Sequence, residues 1–244
     1  HTVNGLTGAP LRHGVVVGGG SVNGLVRDAQ FNPHYYADNS RYGIKEVAIV
    51  SVFEYQMNNA ETFVVRDTVG EMMYNNFVYG ALSGLCLEDG ADVAVLGHGT
   101  DGGNQSLTAS GTPKQPVTLV NSQLVVVGAY GDIMTYICLA EDFAGELNLI
   151  QTNLWGTPVR AVEAAGGALC MTQGNILRCG TMGIVNLAAD TAISGMRFAQ
   201  GDVLYDWYLE NEAVSAVAFG NLYASDGGRG KAADLANVLR GTDF

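Results

Sequence analysis

The chain has 244 residues, a formal net charge of −12, 48% hydrophobic residues and only 15% charged residues. The acidic balance and the scarcity of lysine, found only at Lys45, Lys114 and Lys231, exclude strong nucleic-acid binding through the overall field. Sparse charge favours a subunit whose flanks are covered by neighbours, although a monomer with an Asn/Ser/Thr-rich surface has the same composition. No apolar run approaches about 18 residues, so we expect no membrane span.

Four cysteines, Cys86, Cys138, Cys170 and Cys179, form no C-x-x-C pair and no metal-ligand spacing with histidine. We expect buried free thiols. The first residue is His1, which is interpreted as the product of a removed N-terminal segment, a tag remnant or the first ordered residue. The sequence predicts no catalytic, cofactor-binding or metal-binding residue and no cofactor.

The N-terminal region is predicted to be an extended arm. Residues 1–43 are rich in Gly, Asn and Tyr and carry one apolar patch, Val15–Val17. They lack the sustained period of a strand or a helix, so they do not predict a core of their own. The next segment, Lys45–Phe53, is β-branched and apolar and predicts a strand.

A long amphipathic helix is predicted from Ala60 to Leu87, because its apolar residues recur at spacings of three and four. These residues are Val65, Val69, Met72, Met73, Phe77, Ala81, Leu82 and Leu85. Gly70, Gly80 and Gly84 each cost roughly 1 kcal/mol in a helix interior, so such a helix must gain from packing. At about 1.5 Å per residue it would be roughly 40 Å long.

The helix is followed by the turn Gly97–Gly103, which contains His98, Thr100 and Asp101. The turn has two interpretations: a catalytic loop, or a hinge in which Thr and Asp bond their own backbone and glycine supplies positive φ. Beyond it the chain predicts short β segments separated by glycine turns. The predicted segments are 116–120, 123–127, 133–139 (helix or strand), 146–150, 157–161, 168–172, 182–187, 202–208 and 213–223. A flexible joint at 225–228 and a helix over Ala232–Leu239 complete the chain, with no internal repeat evident.

This order of parts resembles the major capsid proteins of tailed double-stranded DNA phages, the Hong Kong phage capsid fold shared with encapsulins. Three anchors carry the resemblance: the segment Ser51–Ala60 leading into the helix, the helix with its Gly97–Gly103 turn, and the segment Leu154–Val159 followed by Glu163–Gly167. A late strand pair, Asp206–Tyr223, extends it. Two departures are the missing helix after Gly103 and the extra tail.

The resemblance implies an α+β fold with an N-terminal arm, an extended loop, a long spine helix, and peripheral and axial β-rich domains. It divides the chain into seven parts. They are the arm and extended loop (1–46), the peripheral domain with the spine helix (47–114), part of the axial domain (115–150), peripheral strands (151–184), further axial residues (185–210), a closing strand (211–224) and the tail (225–244). Lys45 lies near the expected loop of members that cross-link, but no partner asparagine is identifiable.

The function implied by the resemblance is structural and not enzymatic. The chain would assemble with itself into hexamers and pentamers of an icosahedral shell that encloses double-stranded DNA, with portal, scaffold and decoration proteins as partners. Its location would be the virion, with assembly in the host cytoplasm and no membrane contact. An encapsulin-type nanocompartment shell is the alternative within the same fold.

A hydrolytic enzyme is the alternative of another class. Gly18–Ser21 and His98–Asp101 are similar to the two threonine motifs of asparaginases, in which a hydroxyl attacks an amide. Ser21 stands where threonine is expected, and no matching catalytic lysine follows. His13 and His34 lie in the polar arm and are expected to be structural or to face solvent.

Overall fold

The computed structural model describes residues 1–37, 49–127, 134–177, 182–198, 205–209, 215–223 and 238–240. Every strand pair in these residues is parallel, and the chain returns to the same three sheets coil after coil. This is a parallel β-helix, in which each coil contributes one strand to each sheet and stacks on the coil before it.

The strands and helices follow in chain order. The first coils contain β1 (Thr2–Asn4), β2 (Thr7–Gly8), β3 (His13–Val17), β4 (Ser21–Val22), β5 (Leu25–Arg27), β6 (Gln30–Phe31), α1 (His34–Ala37), α2 (Ile49–Asn59), β7 (Glu61–Val65) and β8 (Thr68–Val69). The middle coils contain β9 (Glu71–Tyr74), β10 (Phe77–Tyr79), β11 (Ser83–Leu87), β12 (Val93–Leu96), β13 (Gly99–Asp101), β14 (Gln105–Ala109), β15 (Val117–Val120), β16 (Gln123–Val126) and β17 (Thr135–Leu139). The later coils contain β18 (Glu146–Ile150), β19 (Asn153–Gly156), β20 (Arg160–Ala164), β21 (Ala168–Thr172), β22 (Asn175–Ile176), β23 (Met182–Asn186), β24 (Asp190–Ser194), β25 (Arg197–Phe198), β26 (Tyr205–Leu209), β27 (Ser215–Phe219), β28 (Leu222–Tyr223) and β29 (Val238–Arg240).

Three long sheets run the length of the molecule. Sheet A has ten strands in the order β1-β5-β9-β12-β15-β18-β21-β24-β27-β29. Sheet B has nine, β2-β6-β10-β13-β16-β19-β22-β25-β28, and sheet C has eight, from β3 through β7, β11, β14, β17, β20 and β23 to β26. Glu146, Ala168 and Asp190 are partners in register at intervals of 22 residues, which is the length of a coil without insertions.

A two-residue turn from sheet A to sheet B makes the coil regular. Its first residue has positive φ in all nine described turns: Gly5, Asp28, Asn75, Gly97, Asn121, Gln151, Gln173, Gly195 and Gly220. Glycine adopts this left-handed conformation without strain, and Asn and Asp tolerate it better than most residues. The same sharp corner therefore recurs although four residue types occupy it.

The interior is filled by side chains that stack in rows along the axis. In sheet C, for example, Phe63, Leu85, Leu107, Ile137 and Val162 are successive partners in register, and each is fully buried. Because this row of large side chains is continuous from coil to coil, each coil buries apolar surface against its neighbours and is stabilised by them.

The predicted fold class is wrong. The model is a β-rich fold of parallel sheets, and α1 and α2 are the two helices in the described residues. The predicted α+β fold with an N-terminal arm, spine helix and peripheral and axial domains is therefore overturned. Residues 1–37, expected to be an arm, form the strands β1 to β6 and the helix α1 of the first coils.

The predicted spine helix over Ala60–Leu87 is five strands, β7 to β11. Its helical spacing is a coincidence, because short strands separated by tight turns also bring apolar residues back every three or four positions. Gly70 and Gly80, read as costly helix residues, have φ of +63° and +76° in turns. Gly84 lies within β11, where an added Cβ would stand 2.5 Å from Thr100 Cγ2.

Of the other local predictions, some are confirmed, some are wrong and some lie outside the described residues. The predicted strands over 116–120, 123–127, 146–150, 168–172 and 182–187 are confirmed, and 133–139 contains strand β17. Lys45–Phe53 is not a strand where it is described, since α2 begins at Ile49. Val238 and Leu239, predicted to end the tail helix, lie in strand β29, and 225–228 and the rest of the predicted helix lie outside the described residues.

An internal repeat is present although none was evident in the sequence. Each coil repeats the same three strands and the same sheet A to sheet B turn. The repeat conserves backbone geometry and interior volume while the residue types change. The coils are therefore similar in structure although their amino-acid sequences differ.

Candidate functional site

The Gly97–Gly103 segment does not form a catalytic loop. It includes the sheet A to sheet B turn Gly97–His98 and strand β13. His98 and Thr100 are buried, with 1% and 2% of their surface exposed, whereas Asp101 is partly exposed. Thr100 Oγ1 donates to Ser106 Oγ at 2.7 Å and accepts from the Val125 amide at 3.1 Å.

His98 is part of the interior stack. Its ring packs edge-on against Phe63 at a centroid distance of 5.5 Å, and neither ring nitrogen has a hydrogen-bond partner among the described residues. Burial lowers the pKa of His98 to about 4, because the charged imidazolium loses its hydration. A neutral, enclosed histidine of this kind serves packing and not proton transfer with a ligand.

Ser21, the nucleophile of the amidohydrolase alternative, does lie beside a histidine. Ser21 Oγ is 2.9 Å from His1 Nδ1, and His1 Nε2 is 3.2 Å from Glu71 Oε1. Glu71 is 2% exposed, and burial raises the pKa of its carboxyl group. The order hydroxyl, imidazole, carboxylate is that of an acid–base relay.

The described backbone amides on either side of the Ser21 hydroxyl are engaged in hydrogen bonds. The backbone amides of Gly20, Ser21 and Asn23 already donate to the carbonyls of Asp67, Gly18 and Val69. Acyl transfer depends on free amides directed at the oxyanion position. We therefore interpret the Ser21–His1–Glu71 chain as the internal bonding of a buried carboxylate.

The remaining polar residues noted in the sequence are dispersed. Lys114 Nζ contacts Asp67 Oδ1 at 2.9 Å, and Lys45, Lys231 and Cys179 lie outside the described residues. Cys86, Cys138 and Cys170 are free, as predicted, although Cys138 and Cys170 are only partly buried. Burial raises the pKa of the Cys86 thiol to about 11, so it stays protonated and unreactive at neutral pH.

Among the described residues, a surface depression at the C-terminal end of α2 gathers several polar side chains. It has a volume of about 380 Å³ and is lined by Arg12, Tyr55, Asn58, Asn59, Glu61 and Leu82. We call this depression the Glu61 pocket. It lies at the edge of sheet C where its strands begin, directly after the connections from sheet B. Its volume is within the range of small-ligand sites.

The walls of the Glu61 pocket are fixed by the helix α2 and its contacts. Gln56 Nε2 donates to the Pro10 carbonyl at 2.7 Å and Asn104 Nδ2 donates to the Met57 carbonyl at 2.7 Å. The Leu82 amide donates to the Gln56 carbonyl at 3.0 Å. These bonds connect the helix to three coils, so the pocket is held by the solenoid and not by a free loop.

The middle of α2 packs on the solenoid through an aromatic ring. Phe53 packs on Tyr79 at a centroid distance of 5.2 Å. Gly80 and Gly102 lie under the same ring, where added Cβ atoms would stand 2.8 Å and 3.3 Å from Phe53. A side chain at either position would push the helix away, so the two glycines set the depth at which α2 sits.

The polar groups of the Glu61 pocket keep much of their hydrogen-bonding capacity. The amide nitrogens of Asn58 and Asn59 donate to the Glu54 and Tyr55 carbonyls, which leaves their side-chain oxygens as open acceptors. Within the described residues the Arg12 guanidinium and the Tyr55 hydroxyl have no hydrogen-bond partner. Glu61 Oε2 lies 3.8 Å from His13 Nδ1.

Sequence reasoning did not find this pocket. Arg12 was assigned to a polar arm and Tyr55–Asn59 to the entry of a spine helix. His13, expected to be structural or to face solvent, is exposed and donates from Nδ1 to the Glu61 carbonyl at 3.3 Å. Only the pairing of β3 with β7 brings residues 12–13 beside residue 61, and no local pattern announces that pairing.

Two further observations limit the chemistry. Within the described residues no group of three or more His, Cys, Asp or Glu side chains is placed to hold a metal ion. No described helix is long and apolar enough to cross a membrane. Comparisons of the chain with protein-family models, with curated proteins and with solved structures gave no match.

Proposed function

We propose that the protein is a carbohydrate-binding β-helix whose Glu61 pocket holds one sugar unit of a glycan. The observation that carries this proposal is the convergence of five polar side chains, Arg12, Tyr55, Asn58, Asn59 and Glu61, on one depression of about 380 Å³. They offer a guanidinium, a phenol, two amide oxygens and a carboxylate within one small space.

A sugar matches this set because each hydroxyl is both a donor and an acceptor. Arginine donates in a planar fork, and carboxylate and amide oxygens accept, so adjacent hydroxyls satisfy both kinds of group at once. Tyr55 adds a ring with an apolar face and a polar tip, which suits the mixed surface of a sugar ring. An apolar ligand would leave these polar groups unpaired and is disfavoured.

The pocket stands beside a row of side chains that continues along sheet C. Glu61 is in register with Ser83 and Gln105, and the row continues through Thr135 to Arg160. Gln105 and Arg160 are partly exposed, whereas Ser83 and Thr135 are buried. Solenoids offer long surfaces of this type to extended partners, so we expect affinity to rise with oligosaccharide length.

The proposal is tested by screening a glycan array and then titrating the best oligosaccharide by calorimetry. The Arg12→Ala variant removes the guanidinium and should weaken binding by about tenfold or more, because a charge-assisted hydrogen bond is lost. Glu61→Gln should weaken binding as well, since the amide replaces a carboxylate that accepts from two hydroxyls.

The matched control is Arg197→Ala, which removes an exposed arginine from sheet B. It should leave the affinity unchanged. The proposal is overturned if no glycan binds, or if Arg12→Ala and Arg197→Ala bind the selected oligosaccharide equally well. Thermal unfolding of each variant checks that the fold is retained.

The shell-forming capsid function implied by the resemblance stays a prediction. The structure does not support the spine helix on which that prediction depended, because the residues assigned to the helix form strands. The encapsulin alternative depended on the same helix. Electron microscopy of native material tests both predictions. Closed shells would support a shell-forming function, which the Glu61 pocket does not explain.

A further inference from the structure

Arg12 is the arginine of the Glu61 pocket, and its backbone is held by two other elements. The Glu61 amide donates to the Arg12 carbonyl at 2.8 Å, and Gln56 Nε2 donates to the Pro10 carbonyl two residues earlier. Arg12 directly precedes β3 and is therefore tied to β7 and to the helix α2. Only its side chain has to become ordered when a ligand binds, which lowers the entropic cost of binding.

The guanidinium of Arg12 has no acidic partner among the described residues. Three other arginines there each pair with a carboxylate: Arg27 with Asp28, Arg66 with Glu88 and Arg160 with Glu163. Arg197 also has no carboxylate partner in the described part of the chain, but it does not line the Glu61 pocket. In a chain with a formal net charge of −12, an unpaired arginine inside a pocket is available to an anionic group of a ligand.

Glu61 does not neutralise Arg12, although both side chains line the pocket. No ion pair of the described residues joins them, and the Glu61 carboxylate faces His13, with Oε2 at 3.8 Å from Nδ1. A ligand anion in direct contact with Arg12 is therefore farther from Glu61 than from the guanidinium. Repulsion from Glu61 falls with that distance, and water and salt in the open depression weaken it further.

The other polar groups of the pocket are mainly hydrogen-bond acceptors. The Oδ1 atoms of Asn58 and Asn59 are open, because the amide nitrogens of both residues donate to backbone carbonyls. Asn58, Asn59 and Glu61 are therefore three acceptor side chains, and hydroxyl groups are suitable donors to them. The occupant that satisfies the whole pocket offers an anion to Arg12 and several hydroxyl groups on the same small unit.

A uronic acid combines these groups on one sugar ring. Its planar carboxylate fits the fork of the Arg12 guanidinium through two parallel hydrogen bonds, and its ring hydroxyls remain for the three acceptor side chains. The other N–H groups of Arg12 can donate to a hydroxyl beside the carboxylate. A sulfate ester also supplies an anion, but it replaces one of the hydroxyl donors. The net charge of −12 disfavours a ligand with many acidic units, so a single acidic unit in a neutral glycan fits best.

We propose that the Glu61 pocket selects one uronic acid unit of a glycan, with its carboxylate on Arg12 and its ring hydroxyls on the three acceptor side chains. This inference rests on the proposed glycan-binding function and adds the chemical class of the sugar. Arg12 is then the residue that determines specificity, because it is the group that distinguishes a carboxylate from a neutral substituent.

A thermodynamic cycle tests the proposal. Neutral oligosaccharides that carry one glucuronic or galacturonic acid unit are compared on the array with their methyl esters, and the best pair is titrated by calorimetry. The wild-type protein should bind the acid about tenfold or more tightly than the ester, because the ester loses the charge-assisted hydrogen bonds. The Arg12→Gln variant should bind the two probes equally. Arg12→Lys should keep part of the preference, since it retains the charge without the fork.

The matched control is Arg197→Gln, which should keep the full preference for the acid. Equal binding of acid and ester by the wild-type protein would overturn the uronic acid assignment and leave glycan binding standing. A preference that persists in Arg12→Gln would overturn it as well, because the carboxylate would then bind elsewhere. Tighter, Arg12-dependent binding of a sulfated oligosaccharide would assign the pocket to sulfate esters instead. If neither acidic nor neutral glycans bind, the proposed function fails together with this inference.

Discussion

Two kinds of connection build every coil, and they differ in what they tolerate. The turn from sheet A to sheet B has two residues in all nine described coils, with a left-handed first residue and, in most coils, a buried second residue. The connection from sheet B to sheet C ranges from three residues at 80–82 to the segment 32–60, which contains α1 and α2. The first connection sets the geometry of the solenoid, and the second supplies the walls of the Glu61 pocket.

The difference teaches that regularity and function are separated within one coil. A change in a sheet A to sheet B turn disturbs the stacking of neighbouring coils, because its buried residue bonds across them. Ala29 and Val26, for example, are both bonded by the side chain of Asn76 in the next coil. A change in the long connection alters a surface that the stack does not need.

The largest expected effect on stability comes from the buried histidine in one regular turn. The pKa of His98 falls from 6.5 in the unfolded chain to about 4 in the fold, a difference of about 3 kcal/mol. A lowered folded pKa contributes stability that is present above pH 6.5 and is lost as the pH falls towards 4. We expect His98→Asn to reduce this loss, measured as the free energy of unfolding at several pH values.

His13→Asn is the control for that measurement, because His13 is exposed. It should leave the acid sensitivity of the wild-type protein unchanged. An acid dependence that is the same in His98→Asn and in the wild-type chain would show that His98 is not the titrating group.

A second substitution breaks the bonding between coils. Asn76 Oδ1 accepts from the Ala29 amide at 3.0 Å, and Asn76 Nδ2 donates to the Val26 carbonyl at 2.9 Å. Asn76→Ala removes both hydrogen bonds and takes the side-chain acceptor from the buried Ala29 amide, so we expect a loss of about 2 kcal/mol. Chemical denaturation measures it, with Asn58→Ala on the exposed face of α2 as a control expected to change stability little. Equal stability of the two variants would contradict the proposed role of the turn.

A third substitution should stabilise the protein. Gln151 holds φ of +52° at the left-handed position, where a non-glycine residue is strained. Gln151→Gly should raise the free energy of unfolding by up to about 1 kcal/mol, and Gln151→Val should lower it, because a β-branched residue fits this conformation worst. If Gln151→Gly lowered the free energy of unfolding, the turn at Gln151 would be stabilised by side-chain contacts and not by the backbone conformation of its first residue.

The smallest effect on stability is expected at the Glu61 pocket. Arg12 and Tyr55 are exposed and make no hydrogen bond through their side chains in the described residues. Arg12→Ala and Tyr55→Phe should therefore change stability by less than about 0.5 kcal/mol while weakening glycan binding. Thermal unfolding and calorimetry on the same samples separate the two effects. A stability loss as large as that of Asn76→Ala would place these residues in the scaffold.

Part of the fold was predictable from the sequence. Short, largely apolar segments such as Val117–Val120 and Ala168–Thr172 predict strands, and both are strands. The prediction of a helix over Ala60–Leu87 was wrong. The turns at Gly70, Asn75 and Gly80 separate short strands, and the apolar residues of these strands happen to recur at helical spacing. Positive φ at those positions depends on backbone geometry that a hydrophobic pattern does not report.

The repeat and the pocket were not predictable for a related reason. The left-handed corner is filled by Gly, Asp, Asn or Gln, so no single letter recurs every 22 residues. The Glu61 pocket joins Arg12 to residues 55–61 and Leu82, which stacking of three coils brings together. Long-range parallel pairing is decided by the whole stack and leaves little trace in any one window of sequence.

The most direct test of this separation between scaffold and binding surface is a crystal structure of the protein with the oligosaccharide selected on the array. We predict one sugar ring in the Glu61 pocket, with hydroxyl groups in hydrogen-bond contact with Arg12 and Glu61. A sugar bound at the regular sheet A to sheet B turns, with the Glu61 pocket empty, would contradict the account.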